Sequence, residues 1–185
     1  MSLANAYQVS RKSLHEEAFS FIKSTMVKHI DQIKELDALD RRILKVLQRR
    51  ADISHADLAL AVAASPASCW RRVRALEEAG VLREHVRLVD PYSVGRGLDV
   101  ICQVRMKSHE PAARASFEKL VQAHDRVMEC LSMSGEWDYL LRVVVHDVRE
   151  YENFLMEELL GHPSVASSSS QFALKRVKYT TAIPI

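Results

Sequence analysis

The 185-residue chain has only five glycines, and none stand in the spacing of a phosphate-cradling loop, a dinucleotide fingerprint or a nucleophile elbow. Its three cysteines, Cys69, Cys102 and Cys130, lie far apart with no C-x-x-C pair. An odd, unpatterned count argues against a disulfide framework and for reduced thiols in a cytoplasmic setting, each packed as a small apolar residue. The eight histidines show no H-x-x-x-H and no Cys/His ligand spacing, so no metal and no cofactor are expected. No run approaches the roughly 18 apolar residues of a membrane span. The first 30 residues carry acids and no continuous apolar stretch, unlike a secretory signal. The net charge of +2 names no partner by itself.

What is present is ordinary globular composition, 48% apolar and 27% charged, in a length that suits one large domain or two small ones. The charge divides unevenly. Residues 36–92 hold 10 Lys/Arg and 8 Asp/Glu, whereas residues 98–185 hold 10 and 12. The first part is therefore net +2 and the second net −2. Four segments follow from the pattern: an N-terminal extension (1–35), a first domain (36–90), a linker (91–97) and a second domain (98–185).

The extension carries Leu14, Ala18, Phe21, Ile22, Met26, Ile30 and Ile33 at helical spacing. It reads as an arm that packs on a partner subunit or, preferred here, as a partly ordered tail or an upstream start ahead of an initiator at Met26. From Leu36 the pattern sharpens. "LDALDRRILKVLQRR" sets Leu36, Leu39, Ile43 and Leu47 on one helix face and Arg41, Arg42, Lys45 and Arg49 on the other, with Asp37 or Asp40 as cap. "ISHADLALAVAAS" predicts a short helix capped by Ser54, with Asp57 near capping-box spacing and Leu58 inward.

"SPASCWRRVRALEEAG" predicts a third helix over 66–79. Ser65 is its N-cap, Pro66 its first residue, and Gly80 ends it. Cys69, Val73 and Leu76 face inward. The outward face carries Ala67, Ser68, Arg71, Arg72, Arg74 and Ala75. "LREHVRLVD" then reads as a short hairpin or wing, and Asp90–Gly97 as a break.

This is a winged helix-turn-helix arrangement, in which the second helix of the pair enters the major groove of double-stranded DNA. Small residues at its start let the backbone approach, and arginines a turn later reach phosphate or guanine edges. The DNA-facing set is Ser65, Ala67, Ser68, Arg71, Arg72 and Arg74. Arg72 sits nearly a quarter-turn off, where pairing with an acid is the alternative. Trp70 is read as packing against the first helix or the turn.

In the second half, strands at 98–107, 126–135, 137–147 and 165–180 and helices at 111–125 and 148–162 give the order βαββαβ. That is a ferredoxin-like sandwich, and the chain as a whole is of the α+β class. Helices cover one sheet face; the other, with apolar residues on it, calls for a dimer partner.

The stretches "LDALDRRILKVLQ", "ISHADLA", "SPASCWRRVRALEEAGVL", "LVDPYSVG", "SGEWDYLLRV" and "LLGHPSV", in that order and spacing, resemble the leucine-responsive/asparagine-responsive (Lrp/AsnC) regulators. The resemblance runs from Leu36 onward. It implies an N-terminal DNA-binding domain and a C-terminal ligand-sensing domain. It also implies a homodimer that assembles to a tetramer or octamer, with an amino acid or similar small effector held between dimers. No membrane is involved.

The turn "SMSGEWDY" has chemistry for a zwitterion. Gly135 offers a backbone free of a side chain, so amides at 135–137 can face a carboxylate, and Asp138 either receives an ammonium or holds the turn. The effector-facing set is Ser134, Gly135, Glu136, Trp137 and Asp138. The resemblance places the strand carrying "SSSS" beside the effector, and Ser168 and Ser170, which share one strand face, join the set.

The function expected is a sequence-specific transcriptional regulator responding to a small molecule, not an enzyme, with no catalytic residues. One alternative is a tetrapyrrole decarboxylase of the kind that resembles this family, with His146 as the nearest histidine. Another is an assembly module without an effector.

Overall fold

A computed structural model describes residues 35–185 of the protein; the N-terminal extension lies outside the described residues. The described residues form two compact units, Val89–Arg176 and a second that joins residues 35–88 with Val177–Ile185. The second domain expected over 98–185 and this division differ in the final segment: Val177–Ile185 groups with the helices, where Ile185 packs on their core. The Gln48 side chain also grips Ile183: Gln48 Nε2 donates to its carbonyl (3.2 Å) and its N–H donates to Gln48 Oε1 (2.5 Å).

The helical unit contains α1 (Ala38–Leu47), α2 (His55–Val62) and α3 (Pro66–Glu78). Each start is fixed by a side chain. Asp37 accepts from the Leu39 and Asp40 amides, both at 2.8 Å, and Asp40 completes the capping box. Ser54 accepts from the Asp57 amide at 3.1 Å. Ser65 accepts from the Ser68 amide at 3.2 Å, ahead of Pro66. Ala63 takes a left-handed conformation (φ 51°) to turn the chain out of α2, and Gly80 (φ 68°) does the same after α3. Ile43, Leu58, Val62, Cys69 and Leu76 are fully buried in the core. Arg42 is drawn into this framework, its Nε donating to the Val62 carbonyl at the end of α2 (3.1 Å). The expected hairpin after α3 is not formed: residues 83–90 carry no strand and Val86 and Leu88 are exposed.

The second unit contains β1 (Leu98–Met106), α4 (Pro111–Gln122), β2 (Val127–Ser132), β3 (Tyr139–Val145), α5 (Val148–Asn153) and β4 (Val165–Phe172). The strands form one antiparallel sheet in the order β2-β3-β1-β4. The final strand is shorter than expected, and the last helix changes after α5 into a π-helical turn over Phe154–Leu159. Gly161 follows that turn so closely that a Cβ there would lie 2.3 Å from the Glu157 carbonyl oxygen.

Alternation along the strands sorts the two faces. Val100, Cys102, Val104 and Met106 of β1 and Tyr139, Leu141, Val143 and Val145 of β3 pack with Phe117 and Val121 of α4, and with Tyr151 and Phe154. Ile101, Gln103, Arg105, Leu140, Arg142 and Leu131 take the opposite face, with Leu131 opposite Leu140 and Leu140 opposite Gln103. Among the described residues no helix is long and apolar enough to cross a membrane.

Candidate nucleic-acid interface and effector-side turn

The two ends of α3's outward face have different jobs. Ser65 spends its hydroxyl on the cap, which fixes where the helix starts. Ala67 is exposed and small, and Ser68 is half-buried. Cys69 and Leu76 lock the opposite side into the core. Arg71 is exposed, and no ion pair or hydrogen bond to a described residue engages its guanidinium. Arg74 is 59% exposed and meets Glu78 at 3.7 Å, one helical turn on. An exposed pair of that kind is weak, about 0.3–0.5 kcal/mol, and releases its arginine readily.

Arg72 is committed elsewhere. Its Nη1 lies 2.5 Å from Asp37 Oδ2 and 3.1 Å from Asp40 Oδ1. The amide of Asp40 and then this guanidinium hold the Asp37 carboxyl below the usual carboxylate range, and the two acids raise Arg72 further. Of the two roles considered for Arg72, pairing with an acid is present: it braces α3 against the capping box of α1. Trp70 also departs from expectation. It is 54% exposed rather than packed inward, and the Arg74 guanidinium stands over its ring, 5.8 Å from the centroid.

In the other unit, the β2–β3 turn is held by Asp138. Its carboxylate accepts the Met106 amide at 2.7 Å, its N–H donates to the Val104 carbonyl at 2.9 Å, and its carbonyl accepts the Met133 amide at 2.8 Å. His109 Nδ1 lies 3.3 Å from its other oxygen. Of the two roles considered for Asp138, holding the turn is thus filled. Gly135 has φ 142° and open space where a side chain would go.

Glu136 accepts from Arg105 at 2.8 Å, and the same guanidinium stands 5.0 Å from the Trp137 ring centroid. No local sequence pattern marks Arg105 or His109. Their spacing from the turn is long, and only the pairing of Val104 with Tyr139 brings them beside it.

The serine run divides by register. Ser168 lies opposite Val104 and Ser170 opposite Cys102, on the helix-covered face, where Ser170 Oγ meets the Tyr151 hydroxyl at 2.5 Å. Ser167 and Ser169 lie opposite Arg105 and Gln103 on the other face. The expected pair Ser168 and Ser170 therefore does not join Arg105 and the turn. His146 is exposed beside Asp147, with Nδ1 at 3.3 Å from a carboxylate oxygen.

A helix-turn-helix with a braced, arginine-bearing third helix, on a chain that also forms a ferredoxin-like sheet, defines a DNA-binding regulator with a separate second module. The comparisons agree. Residues 36–83 match the winged helix-turn-helix DNA-binding model, and residues 99–183 match the Lrp/AsnC ligand binding domain. The DNA-binding transcriptional activator DecR of Escherichia coli is 35% identical over 81% of this chain and 99% of its own. The leucine-responsive regulatory protein of Haemophilus influenzae is 36% identical over 80% of this chain and 89% of its own. A Neisseria meningitidis transcriptional regulator, solved as an L-Met complex, superposes with TM-score 0.78 at 36% identity, covering 81% of this chain and 97% of that one. The chain belongs to the Lrp/AsnC family of DNA-binding transcriptional regulators. The relatives' names give the decarboxylase alternative no support.

Proposed function

We propose that this regulator binds an operator as a homodimer or higher oligomer, with α3 of each subunit in the major groove, and that an amino acid tunes this binding. The observation that carries the reading is the division of labour on α3: Arg72 braces the helix while Arg71 and Arg74 stand on its exposed side. Ser65, Ala67 and Ser68 bring the helix N-terminus to the duplex, where backbone N–H groups favour phosphate. The apolar side chains Ile101, Leu131 and Leu140 on the uncovered sheet face support self-association there.

The effector reading rests on the turn Ser134, Gly135, Glu136, Trp137 and Asp138 with Arg105 and His109. Arg105 suits an α-carboxylate, Glu136 suits an ammonium, and the Trp137 ring offers an apolar wall. An amino acid carries both charges, so it replaces the Arg105–Glu136 pair with two pairs of its own.

The test has two arms. Duplexes selected from a random pool by the full chain are expected to be palindromic, with half-sites about one helical turn apart. A thermal-shift screen of the twenty amino acids is expected to yield at least one stabilising ligand, whose shift is lost in Arg105→Ala. No enriched duplex overturns the DNA reading. No shift with any amino acid overturns the effector reading and leaves an assembly module.

A further inference from the structure

Trp70 is the large apolar side chain that α3 leaves in solvent, 54% exposed, while Cys69 and Leu76 on the same helix are fully buried. Single exposed hydrophobic residues are common and need no function. Two features set this one apart. It lies one turn ahead of Arg74, and that guanidinium stands over its ring at 5.8 Å from the centroid. The stacking favours a fixed pose for the indole and keeps it at the border of the cationic face. It is also three residues on from Ala67, so a small, exposed position precedes it on the same side of the helix.

We infer that Trp70 reads a base: in the operator complex its indole packs on a thymine 5-methyl group in the major groove, beside the strand whose phosphate Arg74 contacts. This rests on the placement of α3 in the groove. The chemistry is specific because the 5-methyl is the apolar feature that distinguishes thymine among the base edges displayed there. Duplex DNA is favoured over a second protein copy by charge. A protein surface that covered Trp70 would have to desolvate Arg71 and Arg74 as well, whereas phosphates neutralise both. Trp70 is more than half exposed and is not one of the residues that build the helical core, so its replacement is expected to spare the fold.

The experiment uses the full chain, its own selected duplex, and the same duplex with each thymine changed singly to deoxyuridine, which removes one methyl group. Wild type is expected to lose about fourfold in affinity at one thymine per half-site, the effect of one buried methyl. Trp70→Ala and Trp70→Gln are expected to bind thymine and deoxyuridine duplexes equally. Their melting temperature and salt dependence on non-specific DNA should match wild type. The assignment is overturned if wild type is indifferent to every deoxyuridine, or if both variants keep the same deoxyuridine penalty. It is likewise overturned if they change the oligomeric state on gel filtration while the penalty stays. Failure of wild type to select any duplex instead removes the DNA reading itself, so the two failures are distinguishable.

Discussion

Arg71 and Arg72 are neighbours in sequence, yet replacing each with alanine is expected to damage different things. Arg71 is exposed, with no described residue engaging its guanidinium. Arg72 reaches two carboxylates of α1 and its cap, one of them on Asp40, whose side chain is only 7% exposed. Each phosphate contact contributes about 0.9 to the slope of log affinity against log salt on duplex DNA. A dimer of Arg71→Ala loses two contacts, so its slope should flatten by about 1.8. Raising salt from about 50 to about 200 mM should then cost wild type about twelvefold more affinity than the variant. Arg72→Ala should keep the wild-type slope and lower the melting temperature, because Asp40 is left without its cation. Fluorescence anisotropy of a labelled operator across a salt series, with a thermal melt of each variant, reads both quantities. An unchanged slope in Arg71→Ala, or a flattened slope with an unchanged melt in Arg72→Ala, refutes the assignment of roles along α3.

Three further outcomes follow from the packing. Gly161→Ala should destabilise the second unit by about 1–3 kcal/mol in urea melts, because its Cβ would meet the Glu157 carbonyl oxygen at 2.3 Å; a neutral substitution shows that the π-helical turn relaxes freely. Glu150 accepts from Arg126 and the His146 amide, and with Arg96 these hold its carboxyl down to about 2. Its stabilisation is thus present above the ordinary glutamate range and is lost as pH falls toward about 2, so the stability gap between wild type and Glu150→Gln should close across that window; a gap that stays constant contradicts the ion network. Gln48→Ala, which frees Ile183, should lower the stability of the helical unit by about 1–2 kcal/mol, as should deleting residues 181–185; hydrogen exchange of α1 amides checks both, and unchanged protection shows that the segment contributes nothing.

Local physics made much of this molecule readable in advance. The caps at Asp37, Ser54 and Ser65 bond amides two or three residues away, so the sequence window contains both partners. The βαββαβ order follows from period-two and period-3.6 patterns within single elements. What stayed hidden depends on partners distant in sequence. Arg72 finds Asp37 across 35 positions, and Arg105 finds Glu136 across 31. Which serines of the run face Arg105 is decided by strand register, and a shift of one residue reverses it. The docking of Ile183 on Gln48 spans 135 positions and leaves no local signal. The missing hairpin has a related cause: the alternation at Val86 and Leu88 suits a strand, but a strand forms only where another edge accepts it.

The central claim is that the start of α3 lies in the major groove, and tethered cleavage tests it most directly. Ala67→Cys places a thiol on the exposed start of the helix, while Cys69 and Cys102 are buried and Cys130 is half-buried. An iron chelate attached there should cut the operator at two clusters about one helical turn apart, one in each half-site. Cutting that is absent, or confined to DNA outside the half-sites, contradicts the account.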